Sequence, residues 1–245
     1  MISIFQIYYR KSIESIMIAR VFIVLIAMLC RLSVCSVKFQ NFLTRSVGSI
    51  VSKDQSVTTL DEQIVFQGYR NIVRRKVILP NGQNATYDLL TQKHASVVVF
   101  TWDTLTSTTT LVNEYHPGPN KFISGTVAGM YEIDKHASPL ESAMFELEEE
   151  AKLVSDKWYP LLDTSDTSMP FDKYSTNRFY PYLAIDCKHI DNGKDLDEQE
   201  YIIIERNVTY SKLMSLLHSG QMNVVSTYAI LLGLRKLNEL GIKVN

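Results

Sequence analysis

The stretch that decides the fold is Gly125–Leu153, GTVAGMYEIDKHASPLESAMFELEEEAKL. It predicts a glycine-rich loop that runs into an α-helix with a well-marked start. Ser138 is a favourable N-cap, and Pro139 suits the first helical position. Glu141 follows Ser138 by three residues, which is the spacing of a capping box. The pattern therefore predicts a helix that begins at Pro139.

The predicted helix has two distinct faces, because successive residues are about 100° apart. The apolar face, expected to pack on the core, consists of Leu140, Ala143, Met144, Leu147 and Ala151. The carboxylates of Glu146, Glu149 and Glu150 share a different face. Like charges at these spacings cost about 0.2–0.5 kcal/mol per pair, a cost that a divalent cation would reverse. The carboxylates alone favour a solvated acidic face, but the preceding glycines allow a close approach of backbone to a ligand.

The stretch resembles the Nudix box, whose pattern is Gly, five residues, Glu, seven residues, then Arg-Glu-apolar-any-Glu-Glu-any-Gly-apolar. The second half of the pattern is matched by Glu146, Leu147, Glu149, Glu150 and Leu153. The resemblance implies that Glu146, Glu149 and Glu150 hold divalent cations, Mg²⁺ or alternatively Mn²⁺. The preceding TVAG resembles the LPAG of the family, which implies that the backbone carbonyl of Ala128 also faces a metal.

The chain departs from the pattern in four ways. Phe145 stands where the motif has its arginine, Lys152 where it has its last glycine, and Ala137 where it has its first glutamate. The span from Gly129 to Ala137 is also longer than the pattern. In the family the arginine helps to orient the acidic residues by hydrogen bonding. Its loss predicts less efficient catalysis, with the metal ligands retained.

The resemblance implies an α/β fold, the Nudix-type α/β/α sandwich with a mixed β-sheet, in residues 95–245. Ser96–Trp102 is a continuous apolar strand, which we expect at the centre of that sheet. Residues 54–94 are rich in β-formers around a strong turn and predict a small antiparallel β-sheet ahead of the main domain. Relatives that act on ADP-ribose and ADP-sugars often dimerise through such a sheet, which implies a homodimer. An ordinary exposed meander would have the same sequence pattern.

An acidic run, residues 195–200, precedes a predicted strand near the end of the chain. In the ADP-ribose and ADP-sugar branch a similar acidic loop supplies the residue that activates water. A carboxylate near a metal-bound water is what general-base catalysis needs. Glu198 is our first candidate for this residue and Glu200 the second, with Glu149 as the catalytic candidate inside the box. A solvated turn explains the run equally well.

The first 53 residues differ in composition from the rest, since they are poor in acids and rich in serine. The apolar run Val21–Cys30 is too short for a confident membrane span and resembles the core of a secretory signal. The acid-poor character also fits a transit peptide for a plastid or mitochondrion, and a retained N-terminal membrane anchor is the alternative. We therefore expect an organellar or secretory location after removal of a presequence.

Together these features predict a Mg²⁺-dependent hydrolase that cleaves the diphosphate bond of a nucleoside diphosphate-linked substrate, by preference an ADP-sugar or ADP-ribose. The net charge of −1 gives no reason to expect nucleic acid as a partner. The alternative is a Nudix-fold module that binds nucleotide-sugars or regulates another protein after losing catalysis. The three glutamates favour the enzyme, whereas Phe145, Ala137 and Lys152 favour the binding module.

Overall fold

The strand predicted at Ser96–Trp102 lies inside the main sheet of the protein. A computed structural model describes residues 56–164, 167–191 and 201–244 of the chain. The strand extends from Ala95 to Trp102 (β4), and its residues from Val97 onward are buried. Burial on both faces is what a continuous apolar run predicts.

Several predictions concern residues outside the described ranges. They include the presequence, residues 1–53, with its apolar run Val21–Cys30, and the general-base candidates Glu198 and Glu200. These assignments, and the domain boundary between residues 94 and 95, stay predictions. Within the described ranges, no helix combines the length and the apolar character that a membrane crossing requires.

The small antiparallel sheet predicted ahead of the main domain is confirmed. Its strands are β1 (Thr58–Phe66), β2 (Asn71–Ile78) and β3 (Asn84–Thr91), paired in that order. The turn between β2 and β3 contains Gly82 at a φ of +82°, a backbone conformation that glycine adopts without steric cost.

The remaining described elements follow in chain order. The strands are β5 (Thr108–His116), β6 (Lys121–Gly125), β7 (Val127–Tyr131), β8 (Leu153–Val154), β9 (Lys157–Pro160), β10 (Met169–Pro170), β11 (Arg178–Ile185), β12 (Lys188–His189) and β13 (Ile202–Thr209). The helices are α1 (Pro139–Ala151), α2 (Tyr210–His218) and α3 (Val224–Glu239).

The main sheet is mixed, as predicted. Its order is β10-β11-β4-β7, and β9 pairs with β11. Strand β11 runs parallel to β4, whereas β7 runs antiparallel to it, with Ala128 opposite Val98. A second, antiparallel sheet has the order β13-β5-β6.

Helices cover both faces of the main sheet, because the side chains of β4 alternate between two cores. Val97 and Val99 pack in a cluster with Ala143 and Leu147 of α1. Phe100 and Trp102 point the other way and pack with residues of α2 and α3, among them Leu213, Leu216, Ile230 and Leu237. The alternation along a strand thus produces the layered α/β/α arrangement.

Helix α1 begins where the sequence predicts. Ser138 caps it by accepting a hydrogen bond from the Glu141 N–H at 3.1 Å. The carboxylate of Glu141 accepts from the Ala137 N–H, one residue earlier than in a standard capping box. The prediction that Met144 faces the core was wrong, since its side chain is 40% exposed. The helix packs on the core with Ala143, Leu147 and Ala151 instead.

Candidate active site

The segment Gly125–Gly129 is not the loop that the sequence predicts. Strand β6 ends at Gly125, and β7 begins two residues later at Val127. Gly129 lies within β7, opposite Val97. A Cβ added at Gly129 would lie 1.9 Å from Cδ and Oε1 of Glu146, so only a glycine lets this carboxylate rest against the strand. The absence of a side chain at Gly129 therefore lets the Glu146 carboxylate pack directly against strand β7.

Glu146, Glu149 and Glu150 of α1 lie in two different settings. Glu146 and Glu149 line a cavity of about 660 Å³, and Ala128 lines it as well. Glu150 is only 6% exposed, and its Oε2 accepts a hydrogen bond from the Ala128 N–H at 3.1 Å. Glu150 thereby ties the helix to strand β7. The described ranges contain no group of three or more His, Cys, Asp or Glu side chains arranged to hold a metal.

A turn between β7 and α1 brings further charges to the cavity wall. Glu132, Lys135 and His136 all line the cavity. The Lys135 ammonium donates a hydrogen bond to Glu132 at 3.1 Å, and this bond lowers the pKa of the Glu132 carboxyl. The imidazole of His136 lies on the ring of Phe145, with 4.8 Å between the ring centroids.

Other cavity residues come from elements far away in the sequence. Tyr69 and Arg70, in the turn after β1, line the cavity on the side of the small sheet. Asn223 and Ser226 line it from the start of α3, where the Asn223 side chain caps the helix by accepting from the Ser226 N–H at 2.8 Å. The Ser226 hydroxyl in turn accepts a hydrogen bond from the Thr126 N–H at 3.0 Å.

Sequence reasoning assigned no role to these residues. The capping pattern of Asn223 is readable from the sequence, since Asn is a preferred N-cap. Nothing local indicates that this helix start faces Thr126. Nor does any pattern relate Tyr69 and Arg70 to the glutamates of α1, because the cavity joins segments that are distant along the chain.

The general-base candidates Glu198 and Glu200 cannot be placed against this cavity, since they lie outside the described residues. The described residues begin again at Tyr201, and β13 begins at Ile202. Ile202 pairs with Glu114 of β5, and Glu114 lines the cavity. The strand that follows the acidic run is therefore paired with a strand of the cavity wall.

The fold is similar to that of a solved protein, described as the crystal structure of an ADP compounds hydrolase. The two structures align with a TM-score of 0.61 and 18% sequence identity, covering 79% of this chain and 100% of that chain. The fold is a Nudix-type α/β/α sandwich. No protein-family model and no curated protein matches the sequence.

Within this Nudix-type fold, the departures from the box occupy definite structural positions. Lys152 is the C-cap of α1 in the left-handed conformation, at a φ of 52°, where a glycine would be unstrained. Its Nζ is buried without a hydrogen-bond partner among the described residues. Phe145 contacts His136, and the N–H of Ala137 is bound by Glu141. An aromatic contact therefore occupies the position of the motif's arginine.

Proposed function

We propose that this chain is a Mg²⁺-dependent hydrolase that cleaves the diphosphate bond of a nucleoside diphosphate-linked substrate, by preference an ADP-sugar or ADP-ribose. The observation that carries the proposal is the position of Glu146 and Glu149, which line one cavity together with the backbone of β7. A cavity of about 660 Å³ is of a size that takes small-molecule ligands. The likeness in fold to an ADP compounds hydrolase supports the same substrate class.

The residues at the cavity fit a magnesium ion bound together with substrate. Magnesium in proteins is typically held by one or two carboxylates, with waters and substrate phosphates as the other ligands. Glu146 and Glu149 would be the two carboxylates in the cavity, and the expected contacts of Glu150 and of the Ala128 carbonyl with a metal stay predictions. When bound, the ion would draw charge from the phosphorus and lower the pKa of an attacking water. Glu150, through its bond to Ala128, fixes the helix against β7 and so keeps the two carboxylates beside the strand.

Cationic and aromatic groups around the cavity suit a nucleotide. Arg70 and Lys135 provide positive charge for phosphate oxygens. The ring of Tyr69, which lies 5.9 Å from the Arg70 guanidinium carbon, offers an aromatic face for a base. Arg70 is also held by a hydrogen bond to Gln92, another cavity residue, which limits its freedom before substrate binds.

For the general base we propose Glu198, with Glu200 as the second candidate. The acidic run that contains both leads directly into β13, which pairs with β5 on the cavity side at Glu114. A carboxylate that abstracts a proton must come within about 3.2 Å of the attacking water, directly or through one further water. Glu149, already in the cavity wall, is the alternative inside the box.

The competing function is a binding or regulatory module that holds a nucleotide-sugar without cleaving it. The specific observation in its favour is the contact of Phe145 with His136 at the motif's arginine position, since an aromatic ring donates no hydrogen bond to the carboxylates. Such a module would retain the cavity and its affinity for the ligand. It would lack turnover in the presence of Mg²⁺.

The test is incubation of the full chain with a panel of nucleoside diphosphate sugars and ADP-ribose. We expect release of a nucleoside monophosphate and a sugar phosphate with Mg²⁺, and no release after chelation with EDTA. The Glu146→Gln variant should lose this activity, whereas Glu148→Gln, which removes a charge outside the cavity lining, should retain it. Binding of substrates without any product in the wild-type protein would favour the binding module.

We also propose a homodimer formed through the small sheet. Strand β1 is exposed along its whole length and carries apolar side chains, including Leu60, Ile64 and Phe66, each more than half exposed. An exposed apolar edge strand is a template for pairing with another chain. Light scattering should give the mass of a dimer, and an Ile64→Lys variant should give that of a monomer. A monomeric wild-type protein would contradict this assignment.

A further inference from the structure

His136 is held in a fixed position at the wall of the main cavity. Its ring centroid lies 4.8 Å from that of Phe145, with 41° between the ring planes. Both residues line the cavity beside Glu146 and Glu149. The imidazole thus lies next to the turn of α1 that carries the proposed metal ligands Glu146 and Glu149.

The backbone around His136 is anchored on both sides. The N–H of His136 donates to the Glu132 carbonyl at 3.0 Å, which closes the turn after β7. The next N–H, that of Ala137, is bound by the Glu141 carboxylate, and Ser138 caps the helix. A ring that is fixed by its backbone and by contact with a neighbouring ring loses little conformational entropy when a ligand binds.

One ring nitrogen of His136 is left without a partner. Nδ1 is buried and makes no hydrogen bond with any described residue. Buried polar atoms are nearly always paired, because an unpaired one keeps its full desolvation cost. Because the ring lines a cavity, we expect the partner of Nδ1 to be a bound ligand. A small rotation of the imidazole would bring the nitrogen to it.

We propose that His136 is a substrate-binding residue whose imidazole donates a hydrogen bond to a phosphate oxygen of the bound diphosphate, and that Phe145 is the positioning residue that fixes the ring. This inference rests on the proposed nucleotide function of the cavity. The other cavity groups explain the need for such a donor. Among the described residues, four carboxylates line the cavity, those of Glu114, Glu132, Glu146 and Glu149, and those that no cation neutralises repel an anionic substrate. An N–H donor on this ring would stabilise a phosphate oxygen beside these carboxylates.

The test measures the affinity of the full chain for ADP with Mg²⁺ by calorimetry, which does not depend on turnover. His136→Phe keeps an aromatic ring against Phe145 but removes the donor. It should weaken binding by about tenfold, which corresponds to about 1.4 kcal/mol. His136→Asn keeps an N–H close to the position of Nδ1 and should lose less affinity. The matched control is His94→Phe. His94 interacts electrostatically with Glu132 but is not among the residues lining the cavity. This variant should therefore bind ADP as the wild type does.

The positioning role of Phe145 has its own comparison. Phe145→Leu removes the aromatic contact and should weaken ADP binding, whereas Phe145→Tyr keeps it and should restore wild-type affinity. Melting temperatures of all variants separate loss of the fold from loss of the contact. A purely packing role would lower the melting temperature of Phe145→Leu and leave the ADP affinity of the folded protein unchanged, which would overturn the assignment.

The outcomes distinguish this inference from the proposed hydrolase function. If the wild type hydrolyses its substrates and His136→Phe binds ADP with unchanged affinity, the inference is wrong and the hydrolase stands. If the wild type binds ADP through His136 but hydrolyses nothing, the inference stands and the hydrolase proposal fails. If the wild type does not bind ADP at all, the inference is overturned as well.

Discussion

Substitution of Gly129 by alanine tests the architecture of the proposed site most directly. The new Cβ would lie 1.9 Å from Cδ and Oε1 of Glu146 and 2.3 Å from its Oε2. Carbon and oxygen atoms cannot approach so closely, so the carboxylate must leave its place. The atoms involved are the far end of a flexible side chain, and strand β7 itself can stay paired with β4.

The expected cost to stability is therefore small. Moving Glu146 to an unfavourable rotamer costs about 0.5–1.5 kcal/mol. Restricting the unfolded chain by replacing glycine offsets this by about 0.4–1 kcal/mol. Since 1 kcal/mol shifts the melting temperature of a domain of this size by about 2–4 °C, Gly129→Ala should melt within a few degrees of the wild type. The activity should fall much further, on the order of 10²-fold, because the proposed ligand is displaced by more than an ångström.

The assay compares kcat/KM and melting temperature for Gly129→Ala and its control variants. Gly118→Ala is the matched control, because a Cβ there meets nothing within 4 Å and should change neither quantity. In the Glu146→Ala background the clash is gone, so adding Gly129→Ala should cause no further loss of stability. Wild-type turnover in Gly129→Ala would refute the reasoning, since it would mean that the position of Glu146 against β7 has no bearing on the reaction.

Four further predictions concern single residues. Glu149→Gln should weaken Mg²⁺ binding in a calorimetric titration, while Glu148→Gln should not. Equal Mg²⁺ affinities of the two variants would contradict the proposed metal site. Glu198→Gln should lower kcat by about 10²–10⁴-fold with metal affinity intact if it is the general base; an unchanged rate would make it a solvated turn residue. Burial raises the pKa of Asp186, but hydrogen bonds from charged and hydroxyl donors outweigh this and lower it from 3.8 to about 2. Because the pKa of this carboxyl is lower in the folded than in the unfolded protein, its ionised form stabilises the fold at pH values above the unfolded pKa, and this contribution is lost as the pH falls to about 2. Asp186→Asn should therefore melt at a lower temperature than wild type near neutral pH. The two melting temperatures should converge in acid. Lys152→Gly should stabilise the protein by up to about 1 kcal/mol in denaturant titrations, because relief of the left-handed φ, about 1–2 kcal/mol, exceeds the cost of about 0.4–1 kcal/mol for the freer unfolded chain. A loss of stability would contradict that explanation.

The local features of the fold were readable from the sequence because each depends on neighbouring residues. The start of α1 follows from Ser138 and Pro139, whose capping and φ preferences act within one helical turn. The central position of β4 follows from its unbroken apolar run. The placement of Glu146 and Glu149 on one face follows from the helical repeat, and both do line the cavity.

Other features were decided only by contacts between distant segments. The period of a helix places Glu150 with the other two glutamates, yet its carboxylate is buried against the N–H of Ala128, because β7 runs alongside α1 there. The segment predicted as a glycine-rich loop is instead part of strand β7, where Gly129 leaves room for the Glu146 carboxylate of the neighbouring helix.

What the sequence by itself determined about this protein is the set of elements and the chemistry that they carry: a capped helix with three glutamates on one face, a buried strand, and a small sheet ahead of them. Only the tertiary structure decided which of these side chains share the cavity, bringing Tyr69 from the small sheet and Ser226 from α3 to the same wall as Glu149. The physical reason is that periodicity and capping act over a few residues. The cavity, by contrast, is set by the register of β4 with β7 and by packing between segments a hundred residues apart.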